Sequence, residues 1–118
     1  TVNDDDAEKI KKEVLSYFSE DAPFLDPQLS LTTVADDLEL NTNKLSYIIN
    51  ECFNANFNEF VNTYRLQHFK KIAQYPKNKS ITLLGLAYDS GFNSKTVFNT
   101  FFKKMEGLTP SQWVKSIS

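Results

Sequence analysis

Lys95, Thr96, Asn99, Thr100 and Lys103 recur at i, i+1, i+4, i+5 and i+8, the spacing that gathers side chains on one face of a helix. Val97, Phe98, Phe101, Phe102 and Met105 take the same spacing and are expected to face inward. The polar face carries no carboxylate. It offers an amide and two hydroxyls flanked by ammonium groups, a set that can hydrogen-bond base edges in a DNA groove and grip phosphates. A second polar face lies upstream, where Asn43, Ser46, Tyr47 and Asn50 are left outside by a stripe of Leu45, Ile48, Ile49, Cys52 and Phe53.

These faces need helices held at fixed angles, and the flanking residues supply the signals. Between Ser80 and Lys115 the chain reads as a short helix capped by Ser80 or Thr82, a turn through Gly91 with Phe92 plugged into the core, and a helix capped by Ser94. A last helix opens on the capping box Thr109-Pro110-Ser111-Gln112 and is anchored by Trp113. This is a helix-turn-helix in sequence. Upstream, Leu31 to Leu38 forms a short helix, Glu39-Leu40-Asn41 a turn, and Asn41 or Thr42 caps the helix to about Phe53.

Ala35 and Ala87 match in their first helices, as do the pairs Leu45/Ile49 and Phe98/Phe102, the second copy having one extra residue in its turn. A long helix from Phe57 to Tyr75, with Arg65, Lys70 and Lys71 on its outer faces, joins the copies as a spacer. At the N-terminus, Ile10, Val14, Leu15 and Phe18 mark a further helix from Ala7 to Ser19, broken by Pro23 and Pro27. The linker between these prolines delivers Leu25 and Leu29 to the core.

The 118 residues make one domain, 1–118, with a single continuous core: 1–30 an N-terminal helix and linker, 31–55 the first helix-turn-helix, 56–76 the linker helix, 80–118 the second helix-turn-helix and closing helix. The net charge of −2 hides a polarity: residues 1–40 carry −8 and residues 41–118 carry +6. Such asymmetry fits a polyanion partner for the basic part, and equally an acidic terminus that is merely solvated.

No paired carboxylates, nucleophile-base pattern, phosphate loop or metal-ligand spacing is visible, so neither an enzyme nor a cofactor or metal is expected. His68 reads as a surface or packing residue, Cys52 as a small core residue, and Trp113 as a core anchor. With one cysteine, a reducing cytoplasmic setting is expected. No apolar run approaches the roughly 18 residues of a membrane span, and TVNDDDAEKIKK is acidic where a signal peptide is basic. Because the chain begins with Thr1 and its only methionine is Met105, it is expected to be a fragment of a longer protein, which can itself be membrane-anchored.

Over nearly its whole length the chain resembles the AraC/XylS family of bacterial transcription regulators. Ala87, Gly91-Phe92, Ser94, Phe98, Phe102-Lys103-Lys104, Gly107 and Thr109-Pro110 are similar to that family's carboxy-terminal signature. Leu31, Ala35, Leu45 and Tyr64-Arg65-Leu66 are similar to its first unit. The resemblance implies an all-α, seven-helix DNA-binding domain with two helix-turn-helix units joined by a long linker helix. Its partners would be promoter or operator double-stranded DNA, and a sensor or dimerisation domain outside the fragment; the segment itself would not contact membrane. GFNSK with FN and FKK resembles the subgroup fused to membrane or two-component sensors.

By position, the first reading helix would use Thr42, Asn43, Ser46, Tyr47 and Asn50, and the second Lys95, Thr96, Asn99, Thr100 and Lys103. Members often carry arginine where Tyr47 and Thr100 stand, a small residue where Phe69 stands, an arginine at Val114, and a glycine in the first turn in place of Glu39. The other reading is a helical protein-interaction module of a signalling regulator, with lost or weak DNA binding.

Overall fold

The structure is a computed structural model and describes residues 4–118; Thr1, Val2 and Asn3 of the acidic N-terminal stretch lie outside the described residues. Among the described residues there are seven α-helices and no strand: α1 Asp4–Glu20, α2 Leu31–Asp37, α3 Thr42–Phe53, α4 Phe57–Ala73, α5 Leu83–Asp89, α6 Lys95–Glu106 and α7 Pro110–Ile117. Single 3-10 turns at Pro23–Leu25 and Pro76–Asn78 follow the long helices α1 and α4, each opening on a proline. Proline has no N–H to continue an α-helical ladder, and its fixed φ suits a turn.

The contacts divide the chain into two compact units, Thr1–Val61 and Asn62–Ser118, with the boundary inside α4. In the first unit Ile10, Val14 and Phe18 of α1, Val34 and Ala35 of α2, Leu45, Ile48 and Ile49 of α3, and Phe60 and Val61 of α4 are buried. The rings of Phe18 and Phe60 meet edge-on at 5.0 Å. The Tyr17 hydroxyl donates to the Asp37 carboxylate and ties α1 to α2. Burial, and then that bond beside a negative charge, push the Tyr17 pKa up to about 12.

Phe69, fully buried, sits at the centre of the second unit's core, its ring 4.9 Å from that of Phe98, 5.7 Å from Phe102 and 6.2 Å from Trp113. Leu66, Leu86, Ala87, Phe92 and Phe101 complete the cluster, with Val114 packed against it. The Phe69 ring is therefore the hub of an aromatic core, in which such pairs add to plain burial.

Several expectations need correction. The linker's buried residue is Phe24, while Leu25 is exposed and Leu29 half-buried, because the 3-10 turn points Phe24 rather than Leu25 inward; the Phe24 ring stacks on Phe18 at 6.5 Å. Arg65 is buried rather than on an outer face. Val97 and Met105 are exposed by 46% and 49%, because the buried arc of α6 narrows to Phe98, Phe101 and Phe102. Cys52 is only half-buried.

Candidate nucleic-acid interface

The two units repeat one another at the level of individual hydrogen bonds. In the first, Ser30 caps α2 by accepting from the Thr33 amide; in the second, Thr82 caps α5 by accepting from the Gly85 amide. Each short helix closes in the same way. The Leu40 amide donates to the Ala35 carbonyl at 2.8 Å and the Phe92 amide to the Ala87 carbonyl at 3.1 Å. Both turns pass through a left-handed residue, Glu39 at φ 58° and Gly91 at φ 103°. Asn41 then caps α3 through the Lys44 amide, and Ser94 caps α6 through the Val97 amide. A cap fixes where a helix starts, and so which side chains share its outer face.

From those caps onward the register is 53 residues. Asn54 at φ 52° and Gly107 at φ 76° end α3 and α6, their amides donating to the Asn50 and Lys103 carbonyls. The helix after each is opened by a reciprocal pair. Asn56 Oδ1 accepts from the Glu59 amide while Glu59 Oε1 accepts from the Asn56 amide; Thr109 Oγ1 and Gln112 Oε1 do the same for α7. The start of α4 thus serves the first unit as α7 serves the second, with Phe60 in the place of Trp113.

In this register Thr42 corresponds to Lys95, Asn43 to Thr96, Ser46 to Asn99, Tyr47 to Thr100 and Asn50 to Lys103. All five of the α6 residues are exposed, and their side chains make no hydrogen bond or ion pair with the described residues. On α3, Asn43, Tyr47 and Asn50 are exposed, while Thr42 and Ser46 are half-buried. Asn50 is partly committed: its Nδ2 donates to the Ser46 carbonyl at 2.9 Å. Each face borders a groove at the start of the following helix, lined in the second unit by Leu84, Lys95, Asn99, Thr109 and Pro110 and in the first by Leu31, Ser46, Asn56 and Phe57.

The charge on the two faces differs. Glu106, the only acid of α6, lies with Oε1 3.0 Å from Lys70 Nζ, which also stands 5.9 Å from the Trp113 ring centre. That pair ties α4 to the end of α6, whose basic residues are Lys95, Lys103 and Lys104. Lys103 and Lys104 in the last turn also suit the helix dipole. The first unit has 13 acids against 4 lysines and the second 9 basic residues against 2 acids, or −9 and +7.

Sequence reasoning named the exposed residues of both faces but missed Val97, which stands exposed beside Thr96 and Thr100, and the groove residues Asn56 and Thr109. The signal for the last two was present as Asn-x-x-Glu and Thr-x-x-Gln spaced by the same 53 residues. His68, read as a surface or packing residue, is half-buried, with Nδ1 3.0 Å from Ser90 Oγ.

The profile of the helix-turn-helix domain matches residues 34–116, which span both turns and both capped helices described above. The chain belongs to the AraC-type helix-turn-helix family. That family consists of DNA-binding transcription regulators, which are not an enzyme class.

An uncharacterised HTH-type transcriptional regulator of Staphylococcus aureus (strain COL) is 28% identical over 112 residues, 95% of this chain and 14% of that protein. The melibiose operon regulatory protein of Escherichia coli (strain K12) is 28% identical over 90 residues, 76% of this chain and 29% of its own length. The chain therefore spans between about a seventh and a third of these relatives.

Among solved structures, a protein of unknown function from Listeria innocua superposes with a TM-score of 0.76 at 28% identity, covering 90% of this chain and 95% of that one. The C-terminal domain of the response regulator yesN from Fusobacterium nucleatum gives 0.66 at 23% identity, covering 88% and 97%, and shares the fold. Among the described residues no helix is long and apolar enough to cross a membrane.

Proposed function

We propose that this AraC-type domain binds double-stranded promoter DNA sequence-specifically, with α3 and α6 as two reading helices in successive major grooves, about 34 Å or one helical turn apart. The observation that carries this reading is the one-to-one register of two outward faces, Thr42, Asn43, Ser46, Tyr47 and Asn50 on α3 and Lys95, Thr96, Asn99, Thr100 and Lys103 on α6. A duplicated capped helix that presents hydrogen-bonding groups, on α6 without a partner among the described residues and on α3 with only Asn50 partly committed, fits a duplex, whose grooves repeat every turn. The side chains divide by chemistry. Amides and hydroxyls hydrogen-bond base edges, and Lys95 and Lys103 pair with phosphates.

The domain works as part of a larger regulator, in which a sensor or dimerisation segment outside this chain controls when the two faces engage DNA. The shares of 14% and 29% that relatives devote to the matching region support this. Its place of action is the bacterial cytoplasm, at the nucleoid.

Gel-shift titration against a library of bacterial promoter fragments at two salt concentrations tests the proposal. Binding that weakens with salt and singles out particular fragments is expected. Asn99→Ala should cost specific binding roughly 1–3 kcal/mol while sparing non-specific binding. Lys103→Ala should weaken all sequences alike. Binding to no fragment, or binding indifferent to salt, would return the domain to the class of protein-interaction modules.

A further inference from the structure

We infer that the DNA selected by this domain is biased to A·T pairs where α6 meets the bases, with adenine opposite Asn99 and thymine methyls against Thr96, Thr100 and Val97. This rests on the reading of α6 as a groove helix and names the class of site it takes.

The argument is one of matching edges. Guanine presents two acceptors in the major groove, and the side chain that meets both with fixed geometry is arginine. The only arginine in the chain is Arg65, buried on α4. Cytosine presents an amino donor and is read by a carboxylate acceptor. The one carboxylate on α6, Glu106, is held 3.0 Å from Lys70 Nζ at the far end of the helix. Arginine's fixed fork and a free carboxylate are thus both missing from the outer face, and only the ammonium groups of Lys95 and Lys103 are left to meet guanine.

The preferred readers of an A·T pair are present. Asn99 is exposed and its carboxamide makes no hydrogen bond within the described protein, so its donor and acceptor are both open to adenine N6 and N7. Thr96 and Thr100 flank it at i−3 and i+1, each with a methyl beside its hydroxyl. Val97 adds two more methyls, 46% exposed against the inward position its apolar character would favour. Lys95 and Lys103 stand a turn to either side of Asn99. An ammonium is a point charge without arginine's rigid fork; it can donate to guanine, but phosphate oxygens on either strand satisfy it equally, so these lysines are assigned to phosphate.

The test uses the 118-residue chain. Duplexes selected by it from a random pool are resynthesised with 7-deazaadenine, which lacks N7, with uracil, which lacks the thymine methyl, or with 7-deazaguanine. The half-site belonging to α6 is the one whose selection profile changes in Asn99→Ala. Expected there are A·T enrichment, a loss of about tenfold in affinity on placing 7-deazaadenine at one position, a smaller loss with uracil, and indifference to 7-deazaguanine. Asn99→Ala should no longer distinguish adenine from 7-deazaadenine. Enrichment of G·C pairs in that half-site with sensitivity to 7-deazaguanine overturns the inference and leaves sequence-specific binding standing. Enrichment of no sequence at all overturns both.

Discussion

Glu39 and Gly91 do the same backbone work with different side chains. Both occupy the left-handed turn between the two helices of their unit, at φ 58° and 103°. A residue with a Cβ pays roughly 1–2 kcal/mol there, whereas glycine is free of that strain but loses more chain entropy on folding. Glu39→Gly is therefore expected to stabilise the first unit by up to about 1 kcal/mol, and Gly91→Ala to destabilise the second by at least as much. Urea unfolding of the two variants checks this; opposite signs, with the larger change in Gly91→Ala, are the expected pattern, and destabilisation by Glu39→Gly would contradict it.

His68 gives a pH effect at the same scale. Ser90 Oγ donates to the Leu86 carbonyl at 2.9 Å, so its lone pairs face His68 and receive the Nδ1 proton. Burial, and then the Lys71 ammonium, hold the His68 pKa below its ordinary 6.5, with Asp89 opposing in part. The folded protein thus takes this proton less readily than the unfolded chain. Its contribution to stability is complete above the unfolded value and is lost as pH falls through 6.5 and then through the folded pKa. Melting near pH 7.5 and 5.5 should show a lower Tm in acid, and His68→Gln should shrink the difference. An undiminished drop in the variant would assign the effect to other groups.

At the scale of elements, Phe69 joins the second half of α4 to α6 and α7. Phe69→Ala should cost about 3–5 kcal/mol, since three aromatic neighbours cannot all close on the space left. Hydrogen exchange would locate the loss. Amides of α5 and α6 are expected to lose protection more than those of α2 and α3, because Phe69 and the cluster packed around it all belong to the second unit. Equal loss in both would mean that the units unfold as one.

The elements were largely legible because their ends are written locally. Asn41, Ser94, the Thr109–Gln112 box and Gly91 all stand where the sequence placed them, since a cap needs only the few residues beside it. What was not legible depends on partners distant in sequence. Apolar spacing marks a stripe on α6 but not how wide a neighbour covers it, so Val97 and Met105 read as core although only Phe98, Phe101 and Phe102 are covered. Arg65 read as an outer cation for the same reason, and Phe24 was passed over for Leu25 because a 3-10 turn has no apolar period to read. Of the candidate faces, the residue sets were legible from periodicity. Their mutual register was legible too, from Leu45/Ile49 against Phe98/Phe102 with one extra residue in the second turn; the hydrogen bonds that hold each turn add the matching caps Asn56 and Thr109.

For the whole molecule, charge separates what residue type alone would pair. The face of α6 carries Lys95 and Lys103 where that of α3 carries Thr42 and Asn50, and the surrounding units carry +7 and −9. If both helices enter grooves, phosphate neutralisation comes mainly from the second unit, and the salt dependence of binding reports that unit. Asn50→Lys places in the first unit the cation that the second has at Lys103, at a position that is exposed and near the end of its helix, where a positive charge also suits the dipole. Its cost is one hydrogen bond to the Ser46 carbonyl, made within the helix and open to water. One added phosphate contact steepens the slope of log affinity against log salt by about 0.9. Asn50→Lys is thus expected to bind more tightly at low salt and to lose that gain as salt rises, with the slope more negative by about that amount. Asn50→Gln, which keeps the charge unchanged, should leave the slope where it was. A steeper slope in Asn50→Lys places the end of α3 at a phosphate, whereas an unchanged slope in both variants would mean that α6 alone reaches the duplex.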